Sequence, residues 1–373
     1  MDGYSEKFDM KNVLLLAGTR PEIIKLAPLL RAINEDQTFL STFLFTGQHS
    51  DLAHTALNDF KITPDISIEL SKSDHSLTGS LSELLQKIAG AITKAKPDLM
   101  VVQGDTNSAL AGAIAGFHQH IPVAHLEAGL RTTSKGSPYP EEMNRRLISQ
   151  ISDLHFAPTN SAYANLISEG IDQSSIAMTG NTGVDALLWM RNQLAISTQN
   201  TSLSNDSEKY ILVTLHRRES QQKDIKTICK GILRFLKENL SYSVLLPVHP
   251  NPDVSTTVVR ELGNTERCRI VKALSYSEII DAMMNAEFIL TDSGGIQEEA
   301  PYLGKRIIVA RQSTERQEGI AAGYSRLVQL DENSIHLAMN EQLTLAPIRP
   351  ATNIFGDGNA SGRCLSLIKD YFG

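Results

Sequence analysis

Carboxylates stand where apolar segments of this chain stop. Residues 99–103 end in Gly104-Asp105-Thr106, and residues 122–126 end in Glu127-Ala128-Gly129. Two prolines in Ser137-Pro138-Tyr139-Pro140 stiffen a loop before Glu141 and Glu142, which open a helical pattern. Acids so placed can take up and release protons. Plainer readings stand beside this one. Asp105 occupies an expected helix N-cap, and a glutamate at 141 or 142 suits the positive end of a helix. Glu127, leaving an apolar strand just before a glycine, is harder to explain structurally.

Cations and histidines occupy other strand ends. Residues 13–17 run into Gly18-Thr19-Arg20-Pro21-Glu22, with Lys25 one helical turn on. Residues 210–214 lead to Leu215-His216-Arg217-Arg218-Glu219, and 243–247 to Val248-His249-Pro250. Singly, each histidine reads as a satisfied loop side chain. Neither lies in H-x-x-x-H or beside a cysteine, so no metal site is expected.

A further feature is backbone chemistry. The apolar run 286–291 stops at Asp292-Ser293-Gly294-Gly295, and Ile296-Gln297-Glu298-Glu299 follows. A buried strand, a tight glycine turn and a helix start aim free N–H groups and the positive end of a helix dipole at one point, which suits phosphate. Glycines without Cβ let a ligand approach the backbone. Glu299, one turn on, could take two ribose hydroxyls.

The elements that must position these groups alternate. Strands are predicted at 13–17, 40–46, 99–103, 122–127, 154–157 and 176–178, and again at 210–214, 243–247, 270–271, 288–291 and 306–309. Helical windows at 23–34, 80–96, 106–118, 223–239 and 277–285 lie between them, and the tail 361–371 reads as a last helix. Such alternation means βαβ units and parallel sheets. At 373 residues two domains are expected. The Ser/Thr/Asn-rich stretch 197–205 separates the two series, with a hinge expected near Gly180-Asn181-Thr182. Two doubly wound domains would bring the carboxyl ends of both sheets to a shared cleft. The first would supply acids, and the second cations and a glycine turn for an anionic nucleotide.

Composition excludes other classes. A net charge of −7, from 35 basic and 42 acidic residues, argues against nucleic acid. Cys229, Cys268 and Cys364 are far apart and form no redox or metal spacing, which suits a reducing, cytoplasmic compartment. No run approaches membrane-spanning length, and the N-terminus does not read as a signal peptide. No G-x-G-x-x-G follows any predicted strand, so a nicotinamide cofactor is not expected.

Taken in order, Gly18-Thr19-Arg20-Pro21-Glu22, Gly104-Asp105-Thr106, Glu127-Ala128-Gly129-Leu130-Arg131, the 137–145 stretch, Gly180-Asn181-Thr182, His216-Arg217-Arg218-Glu219 and the 291–299 stretch resemble the non-hydrolysing bacterial UDP-N-acetylglucosamine 2-epimerases. The matching motifs run from residue 13 to about 364. The resemblance implies an α/β fold of GT-B type: two Rossmann-like, doubly wound domains facing a central cleft. Residues 1–180 would form the catalytic-acid domain, joined by the last helix (360–373), and 181–359 the UDP-binding domain. It implies no metal and no cofactor, a UDP-sugar substrate and a homodimer. It implies elimination of UDP to 2-acetamidoglucal and re-addition with C2 inverted, giving UDP-N-acetylmannosamine for surface polysaccharide. By the same resemblance Asp105, Glu127 and Glu141 match the catalytic acids, with His216 beside the diphosphate. Arg20 and Lys25 match first-loop cations, Ser293, Gly294 and Gly295 the diphosphate site, and Glu299 the ribose site. His249 and Tyr276 are further candidates for the nucleotide. Ala17, Leu215, the 48–51 segment and Ile354 depart from the usual pattern. A hydrolysing epimerase, an epimerase of a modified UDP-sugar, a GT-B glycosyltransferase and a nucleotide-sugar sensor remain alternatives.

Overall fold

The computed structural model describes residues 10–47, 51–71, 76–132, 134–136, 138–196, 209–215, 222–248, 252–314 and 316–373. The backbone divides into two compact units, Met1–Ala186 with Phe355–Gly373, and Leu187–Ile354.

The first unit is built on a seven-stranded sheet: β1 (Lys11–Ala17), β2 (Phe39–Phe45), β3 (Ile66–Ser67), β4 (Leu99–Gln103), β5 (Val123–Leu126), β6 (Leu154–Ala157) and β7 (Ile176–Met178). All pairings are parallel, in the order β3-β2-β1-β4-β5-β6-β7. Val13 to Ala17 and Leu99 to Val102 are fully buried, as the continuous apolar run of a strand covered on both faces requires. The order reverses between β1 and β4. There the two connections leave in opposite directions and open a crevice at the carboxyl ends. The loops at that point are 18–19 and 104–106.

The second unit repeats the plan with β8 (Lys209–Thr214), β9 (Tyr242–Val248), β10 (Cys268–Lys272), β11 (Ile289–Thr291), β12 (Ile307–Val309) and β13 (Ser325–Leu327), ordered β10-β9-β8-β11-β12-β13. Its reversal falls between β8 and β11, so the glycine turn after β11 stands at the switch point. The apolar signal does not mark β3 or β13, edge strands of two and three residues. The helical windows correspond to helices whose ends differ by up to three residues, such as Arg20–Glu35 for 23–34 and Asn107–His118 for 106–118.

The last helix, Ala360–Phe372, belongs to the first unit. Its first N–H groups are held by Asp185, which accepts from Ala360 N at 3.2 Å and from Ser361 N and Oγ at 2.8 Å each. A carboxylate is the expected partner for the exposed amides of a helix start. At the other end Lys369 pairs with Asp36 at 2.5 Å.

Candidate active site

Asp105 does not cap the helix that follows it. Thr106 does, its hydroxyl accepting from Ala109 N at 3.1 Å. The Asp105 carboxylate is left to meet Arg145, whose Nε and Nη2 lie 2.8 and 2.7 Å from Oδ2. The Asp105 carbonyl accepts from Asn144 Nδ2 at 2.8 Å. The capping explanation thus falls to the neighbouring threonine, whose hydroxyl serves equally well.

Glu127, the first residue after β5, has φ +67, in the left-handed region that disfavours side chains with a Cβ. Such strain persists only where surroundings fix it. Here Lys25 Nζ lies 2.5 Å from Oε1, and Gln103 Nε2 donates to Oε2. A Cβ built on Gly104 would stand 3.9 Å from that second oxygen, so the Glu127 carboxylate lies alongside the Asp105 turn. Lys25 is therefore a paired cation, and both side chains are nearly buried.

Glu141 and Glu142, adjacent in sequence, have separate fates. Glu142 is fully buried, accepts from Thr132 N at 3.0 Å, and pairs with Arg145 at 3.1 Å and Arg146 at 2.9 Å. It is the centre of an ion network, not a simple helix-end acid. Arg146 continues to Glu169 at 3.0 Å, and Glu169 to Arg131 at 2.7 Å. The Arg131 guanidinium holds the Glu169 carboxyl below the usual range. Glu141 opens the helix Glu141–Ile151, and its Oε2 is buried with no hydrogen-bond partner among the described residues. A buried acceptor without a donor is costly and calls for a reason.

His125, fully buried in β5, donates Nε2–H to the Gly104 carbonyl at 2.8 Å. Burial pushes its pKa down to about 3, so it stays neutral. Arg20 is the first, half-buried residue of its helix.

In the second unit Ser293 precedes a six-residue helix, Gly294–Glu299. The strand end is tied down by Thr214 and Thr291, whose hydroxyls meet at 2.6 Å; Thr291 Oγ1 also accepts from Ser293 N at 2.9 Å. A Cβ on Gly294 would come within 3.0 Å of Arg316 Cζ, while one on Gly295 would meet nothing closer than Ser293 Oγ at 4.0 Å. A side chain at Gly294 would therefore press on the Arg316 guanidinium, whereas among the described residues nothing crowds Gly295. Arg316 is fixed by buried Glu298, with Nη2 2.7 Å from Oε1. Glu299 is buried and accepts from Tyr276 OH at 2.9 Å. Tyr276 thus acts through the Glu299 carboxylate, with its ring in the core. His216 and His249 lie outside the described residues.

The chain as a whole matches known proteins. The profile of the UDP-N-acetylglucosamine 2-epimerase family matches residues 31–369. The chain belongs to the UDP-N-acetylglucosamine 2-epimerase family. A UDP-N-acetylglucosamine 2-epimerase of Salmonella typhimurium is 39% identical over 373 residues, covering 96% of this chain and 98% of that one. The crystal structure of the Neisseria meningitidis UDP-GlcNAc 2-epimerase bound to UDP-GlcNAc gives a TM-score of 0.91 at 36% identity, over 96% of this chain and all of the other. The S. aureus MnaA-UDP co-structure gives 0.90 at 35% identity, over 97% of both. The fold is accordingly the α/β, GT-B-type fold of these epimerases.

For this 2-epimerase family member, several supporting residues escape a reading of the sequence. Gln103 closes an apolar strand, and only its polarity in that position marks it. Arg145 and Arg316 lie among other charges, and nothing local says which acid each will meet. Glu22 reads as an ordinary first-turn acid, yet it is buried between two loops.

Proposed function

We propose that this chain interconverts UDP-N-acetylglucosamine and UDP-N-acetylmannosamine without hydrolysis, with Asp105, Glu127 and Glu141 handling protons and the Ser293–Gly295 turn holding UDP. The observation that carries the reading is that Asp105 and Glu127 meet at one turn, while Glu141 opens the helix whose Arg145 holds Asp105. Asp105 is held by Arg145, Glu127 by Lys25 and Gln103, and Glu141 keeps a buried oxygen without a donor among the described residues.

Epimerisation at C2 needs a base on one face of the carbon and an acid on the other, and stabilisation of the diphosphate that leaves C1. The C2–H bond breaks as its proton passes to a carboxylate. The C1–O electrons leave with UDP, and the C1–C2 double bond of 2-acetamidoglucal forms. Return of UDP to C1 and of a proton to the opposite face of C2 completes the exchange, so charge and atoms balance without a redox step. In this reading Arg20 and Lys25 offset the developing negative charge, and His216 and His249 assist at the nucleotide. Glu299, oriented by Tyr276, takes the ribose hydroxyls. The second unit is the UDP-binding domain, and the first is the domain of the acids. The backbone amides at 293–295 keep UDP within reach of the glucal, which separates an epimerase from a hydrolase.

On family resemblance the proposal extends to a cytoplasmic homodimer that supplies N-acetylmannosamine donors for surface polysaccharide. Among the described residues no helix is long and apolar enough to cross a membrane. Product analysis by NMR tests the reaction. Conversion of UDP-N-acetylglucosamine to UDP-N-acetylmannosamine is expected. Accumulation of free N-acetylmannosamine with UDP would show the hydrolysing reaction instead.

A further inference from the structure

The Asp105 turn is reached from two sides by buried side chains to which the reaction assigns no task. Glu22 is 1% exposed. Its Oε2 accepts from Gly18 N at 3.0 Å, in the loop after β1, and its Oε1 from Thr106 Oγ1 at 2.7 Å, in the loop after β4. The Thr106 hydroxyl has one proton, directed to Glu22, while it accepts from Ala109 N. Its orientation is therefore fully determined. On the other side, His125 donates to the carbonyl of Gly104, whose φ is +69.

Each side chain has a bland explanation. A glutamate in the first turn suits a helix start, and a buried histidine N–H needs an acceptor. Neither explanation requires a bond from one strand end to another. Service to the helix start would be complete with Gly18 and Thr19, which Glu22 also bonds. The Thr106 bond joins the two sides of the switch point, where the cation loop and the acid loop part.

We propose that Glu22 and His125 are positioning residues that clamp the Gly104–Thr106 turn and so fix where the Asp105 carboxylate stands relative to Arg20 and Lys25. The proposal rests on the epimerase reading for its kinetics but not for its geometry. Glu22→Gln leaves one acceptor oxygen where two are used. Thr106→Val removes the donor to Glu22 together with the helix cap on Ala109 N, and Thr106→Ser restores both. His125→Leu removes the ring N–H, and His125→Gln replaces it with an amide N–H at similar reach.

Because small misplacements of a reacting group cost up to about a hundredfold, Glu22→Gln, Thr106→Val and His125→Leu are expected to lower kcat at least about tenfold. KM and UDP affinity should stay within about threefold of wild type, because the nucleotide grip is untouched. Thr106→Ser and His125→Gln should recover most of the loss. The double variant Glu22→Gln/Thr106→Val should lose less kcat than the product of the two single losses, because the two side chains share one bond besides their own contacts to Gly18 and Ala109. Unchanged kcat, fully multiplicative losses in the double variant, or kcat falling in parallel with UDP affinity would overturn the proposal. A crystal structure of Glu22→Gln gives a readout independent of turnover. A displaced 104–106 turn is expected, and a turn that superimposes on the wild type refutes the clamp whatever the substrate proves to be. Absence of turnover in the wild type would instead strike at the functional reading.

Discussion

The two switch points share a topology and differ in what they offer a ligand. After β4 and β5 the chain presents charged side chains: Asp105, Glu127 and Glu141, with counter-ions from Arg145 and Lys25. After β11 it presents main-chain atoms of a glycine turn, and the nearby charges are turned to support. Glu298 fixes Arg316, and Tyr276 orients Glu299. The difference follows from the two tasks. Proton transfer needs groups that change charge at set positions, so each must be braced by partners. Holding a diphosphate through bond cleavage needs donors that do not titrate, which backbone amides are.

The contrast breaks most sharply if the acids prove to be binders. Asp105→Asn and Glu141→Gln are expected to lower kcat by at least about a hundredfold, the usual contribution of a general acid or base. UDP affinity by calorimetry should hardly change. A loss of UDP binding in step with turnover would erase the division of labour.

The next largest effect belongs to the glycine turn. Gly294→Ala pushes on Arg316 and should weaken UDP binding by about tenfold, the order of one charge-assisted hydrogen bond. Gly295→Ala has room for its methyl among the described residues. It should leave the melting temperature unchanged and act only on ligand affinity. Equal melting losses for both would contradict the different roles assigned to the two glycines. Tyr276→Phe removes one hydrogen bond to Glu299 and should cost about 1 kcal/mol of UDP binding, roughly fivefold, with kcat preserved.

The last test concerns stability against pH. His125 has a folded pKa near 3, below its unfolded value. The unfolded chain therefore takes up a proton that the native protein refuses. Stability falls as pH drops below the unfolded pKa of about 6.5, by at most about 1.4 kcal/mol per pH unit, until the folded pKa is reached. Glu22 works in the opposite sense: burial raises its pKa, so it is less favourable to the fold as pH rises. The difference between wild type and His125→Gln isolates the histidine. Denaturant unfolding between pH 4 and 7 should show a shallower slope in the variant, and parallel slopes would disprove a neutral buried ring.

The alternation of apolar runs and amphipathic windows made both doubly wound sheets legible in the sequence, because fully buried parallel strands need such runs. The short edge strands β3 and β13 carry too few residues for any pattern. In the site, the acids could be picked out because each interrupts an apolar run. Their partners could not. The choice of Thr106 over Asp105 as cap depends on Arg145, 40 residues away, competing for the carboxylate. Likewise Glu141 and Glu142 look equivalent locally, and only the packing of Arg145, Arg146 and Thr132 around Glu142 separates them.

Deuterium labelling tests the central claim most directly. When wild type and Asp105→Asn are incubated with UDP-N-acetylglucosamine in deuterium oxide, the wild type should yield UDP-N-acetylmannosamine carrying deuterium at C2. The variant should bind UDP normally and label C2 at least about a hundredfold more slowly. UDP-N-acetylmannosamine formed without C2 deuterium, or a variant that labels at the wild-type rate, would contradict the assignment of proton transfer to these acids.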